Sequence, residues 1–257
     1  MRAVILAGGK GIRLAPLTQV IPKPLVPLGG KPILEIVLRQ LRAQGFRHVT
    51  LAVGYMADLI QAYFGDGGKL DLRLDYSFED QPLGTAGPLA LIDNLDETFL
   101  VMNADVLTDL DYRALIDFHQ QTGGLATVSA YNRQVRIDLG VIIKDGSTLI
   151  QDYVEKPSYD YLVSMGIYVF EPAILDYIRN YPQTVQAQKA PPASGPSPGY
   201  LDFPDLVKYL LKLGQPVHFY PFNGYWLDIG RHEDYAKANE EFEKLGGALA
   251  GNTAARL

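Results

Sequence analysis

The sequence predicts an α/β fold with a mostly parallel sheet flanked by helices, and three observations predict it. Short apolar or alternating runs recur along the first half, amphipathic stretches of helical spacing separate them, and a glycine-rich turn follows the first run without a break. With 257 residues and 47% hydrophobic content, the chain can bury a sizeable core as one large α/β domain or two small ones.

The strands read in order as "AVILA", "HVTLAV", "LRLDYS", "FLVMNA", "LATVSA" and "GVIIK". The clearest helix is "KPILEIVLRQLRAQG": Pro32 suits a first turn, Leu34, Val37, Leu38 and Leu41 repeat at helical spacing, and Gly45 ends it. A second helix is expected from near Asp58 to Gly65, and a third from about Tyr112 to Gln121. Strands alternating with helices imply right-handed crossovers, and such sheets hold ligands at the carboxyl ends of their strands. The stretch 183–199, "QTVQAQKAPPASGPSPG", has no hydrophobic period and reads as a mobile surface loop, with a lid or contact surface as the alternative. The last residues, "GGALAGNTAARL", read as a frayed tail.

Composition narrows the function. A formal net charge of −6 and a pI near 5.2 argue against broad capture of nucleic acid or an anionic membrane, so an anionic ligand needs a local cluster of cations. The absence of cysteine excludes disulfides and thiolate metal sites and fits a reducing compartment. The apolar N-terminus is too short for a signal peptide and no stretch is long enough to span a bilayer, so a cytoplasmic location is expected.

The glycine turn "AGGKGIRL" matches neither familiar phosphate loop. Counting from Gly9 and Gly11, the third position of a dinucleotide fingerprint falls on Leu14, which also removes a nicotinamide-linked dehydrogenase from the field; Lys10 is followed by Gly11 rather than Ser or Thr. What remains is a turn whose glycines let backbone N–H groups approach phosphate oxygens, with Arg13 and Lys23 adding positive charge. Alone, it is equally a strand-to-loop turn with two solvated cations. Asp105, at the end of "FLVMNA", is a magnesium candidate or the start of a turn; Asp109 and Asp111 read as turn or helix-cap residues. Gln81, Gly84 and Thr85 in "QPLGTAGPL" read as a loop in which Thr85 caps the following helix.

The stretch "AVILAGGKGIRLAPLTQVIPKPLVPLGGKPILEIVLRQL" resembles the N-terminal signature of the sugar-1-phosphate nucleotidyltransferases. The resemblance continues in order through "QPLGTAGPL", "FLVMNADVLTD", "LGVIIKDG", "VEKP", "SMGIYVF" and "GYWLDIGRHEDY". Ile12 departs from it, because the family usually has threonine there. The resemblance implies a Rossmann-like sheet domain over 1–244, a sugar-binding region inserted at about 130–225, and a flexible tail over 245–257. It also implies attack of a sugar 1-phosphate on the α-phosphorus of a nucleoside triphosphate, with release of pyrophosphate.

The residues are consistent with that chemistry. A phosphate monoester has a second pKa of about 6, so it is already an anionic nucleophile and needs no general base. The obstacle is repulsion between anions, which calls for metal, Lys and Arg held in position. The resemblance assigns Asp105 and Asp228 to Mg2+, Arg13 and Lys23 to the phosphates, and Leu6, Ala7, Gly8, Gly9, Gly11, Gln81, Gly84 and Thr85 to the nucleotide. It assigns Lys23, Gly140, Glu155, Lys156 and Gly166 to the sugar phosphate, with Lys156 catalytic; without it, Glu155 and Lys156 read as a surface ion pair, Gly140 and Gly166 as strand glycines, and Trp226 as packing.

Mannose- or heptose-1-phosphate guanylyltransferases are the most similar branch, with uridylyl- or thymidylyltransferases as the alternative. The rival from another class is a catalytically silent nucleotide-sugar-binding regulator. The chain ends soon after "HEDYAKANEEF", so neither a β-helix domain nor a second acyltransferase activity is expected. The resemblance also suggests a homo-oligomer.

Overall fold

A computed structural model describes residues 1–182 and 199–245. The Pro-rich stretch, apart from Gly199, and the tail from 246 onward lie outside the described residues. The strands are β1 (Arg2–Ala7), β2 (Pro27–Leu28), β3 (Lys31–Pro32), β4 (His48–Val53), β5 (Arg73–Phe78), β6 (Phe99–Asn103) and β7 (Val106–Thr108). They continue as β8 (Ala126–Arg136), β9 (Gly140–Lys144), β10 (Ile150–Glu155), β11 (Ser158–Phe170), β12 (Val217–Phe222) and β13 (Trp226–Asp228). The helices are α1 (Ile33–Ala43), α2 (Ala57–Phe64), α3 (Tyr112–Thr122), α4 (Ile174–Arg179), α5 (Phe203–Lys212) and α6 (His232–Leu245).

Seven strands form the central sheet in the order β12-β8-β11-β6-β1-β4-β5. β1 runs parallel to β4 and β6, β4 to β5 and β8 to β12, whereas β11 is antiparallel to both its neighbours. The sheet is therefore mostly parallel and mixed, as the sequence predicts.

Alternation of side chains builds a core on each face. Ala3, Ile5 and Ala7 of β1, Leu100 and Met102 of β6, and Ile167 and Val169 of β11 join the layer that includes α1 and α3. Val4, Phe99, Val101, Tyr168 and Phe170 point the other way, onto α4, α5 and the turn 87–91. Leu34, Val37, Leu38 and Leu41 of α1 are fully buried, which is worth roughly 1.5–3 kcal/mol each. Pro32 immediately precedes α1 rather than lying inside it.

A third cluster sits beneath the glycine turn. Leu14, Val26, Leu28, Leu107, Leu227 and Ile229 pack together there, so the turn and the small β7–β13 sheet share one apolar floor.

The described residues of the region expected as a sugar-binding insert, 130–225, form several elements. The distal parts of β8 and β11 pair over 130–136 and 158–164, with the separate β9–β10 ribbon between them in sequence. β8, β11 and β12 all belong to the central sheet, where the end of β11 pairs with β6 and β12 pairs with β8.

Candidate active site

The carboxyl ends of β1, β4, β5 and β6 lie side by side, and the glycine turn leaves the first of them. Gly11 has φ +61 and its carbonyl accepts from Leu14 N at 2.9 Å and from the Thr18 hydroxyl at 2.8 Å. A β-carbon there would come 3.0 Å from Lys23 Cβ and Thr18 Cγ2. Gly11 thus answers to conformation and packing together. Gly9 has nothing within 4 Å of its β-carbon position, so packing places no demand on it.

Asp105 and Asp228 are far apart in sequence and meet through a ladder. Asp228 pairs with Val106 across β13 and β7, and Ile229 N donates to Asp105 O at 3.0 Å. Asp228 lies on its strand rather than after it. Burial, and next the neighbouring Asp105 charge, push its carboxyl above the usual range, while Lys23 and Arg13 pull it back. Lys23 Nζ pairs with Asp105 Oδ2, and Asp105 Oδ1 is buried with no hydrogen-bond partner.

Two crowded carboxylates and an orphaned oxygen are the donor set that a hard divalent cation satisfies, its other positions going to phosphate and water. Among the described residues no group of three or more His, Asp or Glu could hold a metal.

Arg13 lies on the same side. Its guanidinium sits 3.3 Å from where a β-carbon on Gly230 would stand, so Gly230 is the space the arginine occupies. Ile12 beside it is 76% exposed and takes part in the turn through its carbonyl, which accepts from Ala15 N.

The loop 81–85 is anchored differently from expectation. Thr85 does not cap the turn that follows it; its hydroxyl accepts from Phe203 N at 2.9 Å and donates to Asp202 Oδ1 at 3.2 Å, so it caps α5. Thr85 N also donates to Asp202 Oδ1, at 3.0 Å. Gly84, at φ +80, would bring a β-carbon to 2.6 Å from Leu201 O. Gln81 is exposed, and Leu6 and Ala7 end β1 beside Gly8.

Glu155 and Lys156 lie where β10 ends. Lys156 has φ +46, so the chain turns there as Pro157 allows, and its Nζ is 3.9 Å from Glu155 Oε1. Gly140 pairs with Glu155 across β9 and β10, so these three residues share one place. Among the described residues no hydrogen bond or ion pair joins them to Asp105 or Asp228. Gly166, at φ +73, faces Asn103 at the end of β6, where a β-carbon would lie 2.6 Å from Asn103 Nδ2. Trp226 packs on Tyr131 and donates to Met165 O at 3.0 Å, in keeping with a packing role. Asp111 caps α3 through Arg113 N and Ala114 N, and Asp109 accepts from Tyr225 N at 2.7 Å.

Sequence reading missed Glu79. Its side chain crosses from the end of β5 over Gly54 to Gly8, where a β-carbon would clash with Glu79 Oε1. No motif flags it, because only the alignment of β5 with β4 and β1 brings it there. Arg13 was singled out in the sequence, but its packing against Gly230 was not.

Comparison with known proteins matches residues 2–244 to the nucleotidyl transferase family. A UTP–glucose-1-phosphate uridylyltransferase from Synechocystis is 33% identical over 93% of this chain and 62% of its own length. A mannose-1-phosphate guanyltransferase beta-B from Xenopus laevis is 36% identical over 91% of this chain and 66% of its own. Across these and other curated relatives the chain spans 60–66% of their length. Among solved structures, HddC from Yersinia pseudotuberculosis is 27% identical with a TM-score of 0.68, covering 94% of this chain and 99% of that one. A second HddC structure, complexed with GMP-PN, has a TM-score of 0.66 and the same identity and coverage.

Proposed function

The chain belongs to the nucleotidyl transferase family, and on that premise we propose that it transfers a nucleotidyl group from a nucleoside triphosphate to a sugar 1-phosphate. The observation that carries the reading is the meeting of Asp105 and Asp228 beside Lys23 and Arg13 at the carboxyl edge of the sheet. Guanylyl transfer to mannose 1-phosphate or a heptose 1-phosphate is the preferred reaction; the guanyltransferase relatives and the GMP-PN complex of HddC support it. The Synechocystis relative keeps uridylyl transfer as the second reading.

In this mechanism the sugar phosphate attacks as an anion, so the protein needs no base and its task is to reduce repulsion between anions. Lys23 and Arg13 supply positive charge to the triphosphate. The cation, Mg2+ in this proposal, would be held by Asp105 and Asp228 and would screen charge on the α-phosphate. Gly8, Gly9 and Gly11 bring backbone to the nucleotide, with Leu6, Ala7, Gln81, Gly84 and Thr85 around the base. Lys156 holds the sugar phosphate, and Glu155, Gly140 and Gly166 line the sugar. The reaction is placed in the cytoplasm, in an assembly of two or more copies.

The test is pyrophosphate release with Mg2+ across GTP, UTP, dTTP, CTP and ATP, each with mannose, glucose, N-acetylglucosamine and heptose 1-phosphates. One productive pair establishes the activity. Silence throughout, with a nucleotide sugar still raising the melting temperature, replaces it with a binding role.

A further inference from the structure

A cavity of about 380 Å3 is lined by Arg13, Arg231, His232 and Glu233. That volume suits a small ligand. Arg13 reaches it from the glycine turn, Arg231 immediately precedes α6, and His232 and Glu233 open that helix. Arg13 also faces Asp228, whose carboxyl it pulls down, so one guanidinium serves both the carboxylate pair and the cavity.

Two guanidiniums on one small cavity repel each other, and no carboxylate is bonded to either. Among the described residues neither the Arg13 nor the Arg231 side chain makes a hydrogen bond or an ion pair; Glu233 lines the same cavity and pairs with neither. Gly230 lets them gather: its β-carbon position is 3.3 Å from both terminal nitrogens of Arg13, and Arg231 follows directly. The arrangement is held from behind by α6. His232 Nε2 donates to Ala15 O at 2.7 Å, two residues past Arg13, and the Tyr235 hydroxyl donates to Pro27 O at 2.6 Å. A carbonyl only accepts, so His232 Nε2 carries its hydrogen. The helix thus ties the turn that bears Arg13 to the strand that bears Asp228. A pair of guanidinium forks fixed in this way fits an anion with several oxygens.

We propose that Arg231 is a further phosphate-binding residue, which with Arg13 holds the β- and γ-phosphates of the triphosphate and the pyrophosphate they become. This rests on the nucleotidyl-transfer reading. In that reaction a sugar-phosphate oxygen forms its bond to the α-phosphorus while the bond from that phosphorus to the bridging oxygen breaks, and the electron pair leaves with the pyrophosphate. No proton moves. Negative charge therefore grows on the departing group, and Lys23 is already paired with Asp105. Arg231 supplies a second free fork, so the growing charge meets two guanidiniums instead of one.

Nucleoside monophosphates lack only the two phosphates in question, which makes the test sharp. Calorimetry with Mg2+ measures the affinities of the full chain, Arg231→Ala and Arg231→Lys for inorganic pyrophosphate, GTP, UTP, GMP and UMP, and kinetics supply KM for the sugar 1-phosphate. Arg231→Ala is expected to weaken pyrophosphate and the preferred triphosphate about tenfold or more, the scale of one charged hydrogen bond, and to leave the matching monophosphate and the sugar 1-phosphate within about twofold. Arg231→Lys should recover part of the loss, since it keeps the charge and not the fork. Unchanged pyrophosphate and triphosphate affinities in Arg231→Ala, or an equal loss for the monophosphate, overturn the inference. So does an unaltered protein that binds no pyrophosphate, a result that needs no variant. Arg231-dependent binding of pyrophosphate and triphosphate without turnover leaves the inference standing and removes the transfer reading; turnover with affinities indifferent to Arg231 does the reverse.

Discussion

In the proposed reaction single residues carry the chemistry, and Asp105 and Asp228 show how. Each closes an apolar run, so each was legible in the sequence as a carboxylate at a strand end; their meeting depends on the β7–β13 ladder, which no local pattern encodes. Because burial and mutual repulsion disfavour the Asp228 charge, Asp228→Asn should leave the melting temperature unchanged or raise it while turnover falls at least a hundredfold. Calorimetry and pyrophosphate release check both halves; a collapsed melt assigns Asp228 to structure instead. Asp105→Asn should also abolish turnover with little change in the melt. Lys156→Ala should raise KM for the sugar phosphate by about tenfold, the scale of one charged hydrogen bond, and leave that for the triphosphate within twofold. An effect confined to the triphosphate refutes its placement. Ile12 projects outward, so Ile12→Thr is expected to keep stability within ±0.5 kcal/mol, measured by urea unfolding. Glu79 was not legible, since its place follows from three strands aligned side by side.

Among elements, helical period and apolar runs were strong enough to mark β1, β4, β5, β6 and β9, and α1 to α3, within a few residues of their observed bounds, whereas β8 runs on to Arg136, well past the expected "LATVSA". β11 escaped the same reading. Its 13 residues change environment midway: Ser158–Leu162 is largely exposed, Met165–Phe170 is buried, and Gly166 breaks the register between them. A strand that is half arm and half core has no single period to detect. The cap on α5 was equally hidden, because Thr85 reaches it across 118 residues. Asp202 accepts from Thr85 N, the Thr85 hydroxyl and the Tyr200 hydroxyl, so Asp202→Ala should cost about 1–2 kcal/mol in a urea titration. An unchanged midpoint means that water replaces those bonds.

At the scale of the whole molecule, one buried histidine ties the helical layer to the sheet. His119 of α3 bonds the Thr127 hydroxyl of β8 at 2.8 Å and Glu171 Oε1 at 3.1 Å, while Thr98 also donates to Glu171. Burial lowers the His119 pKa, Glu171 opposes that, and His218 adds slightly to it. The unfolded chain then binds the proton first, at about 6.5, so this contribution is full above that pH and is lost as pH falls toward the lower folded value. Glu79 and Asp228, both raised, act with the opposite sign. The stability advantage of the unaltered protein over His119→Gln should therefore shrink between pH 7.5 and 5.5, as read from urea midpoints; a constant difference refutes the linkage. The two ends of the site also lie at opposite ends of the sequence. The glycine turn follows β1, whereas Asp228 ends the thirteenth strand. During synthesis on the ribosome, the segments proposed to contact the nucleotide emerge long before the second carboxylate of the proposed metal pair. A chain released prematurely at any point before β13 would carry Gly8, Glu79 and Asp105 without Asp228, so truncated products are expected to be catalytically inert rather than partly active.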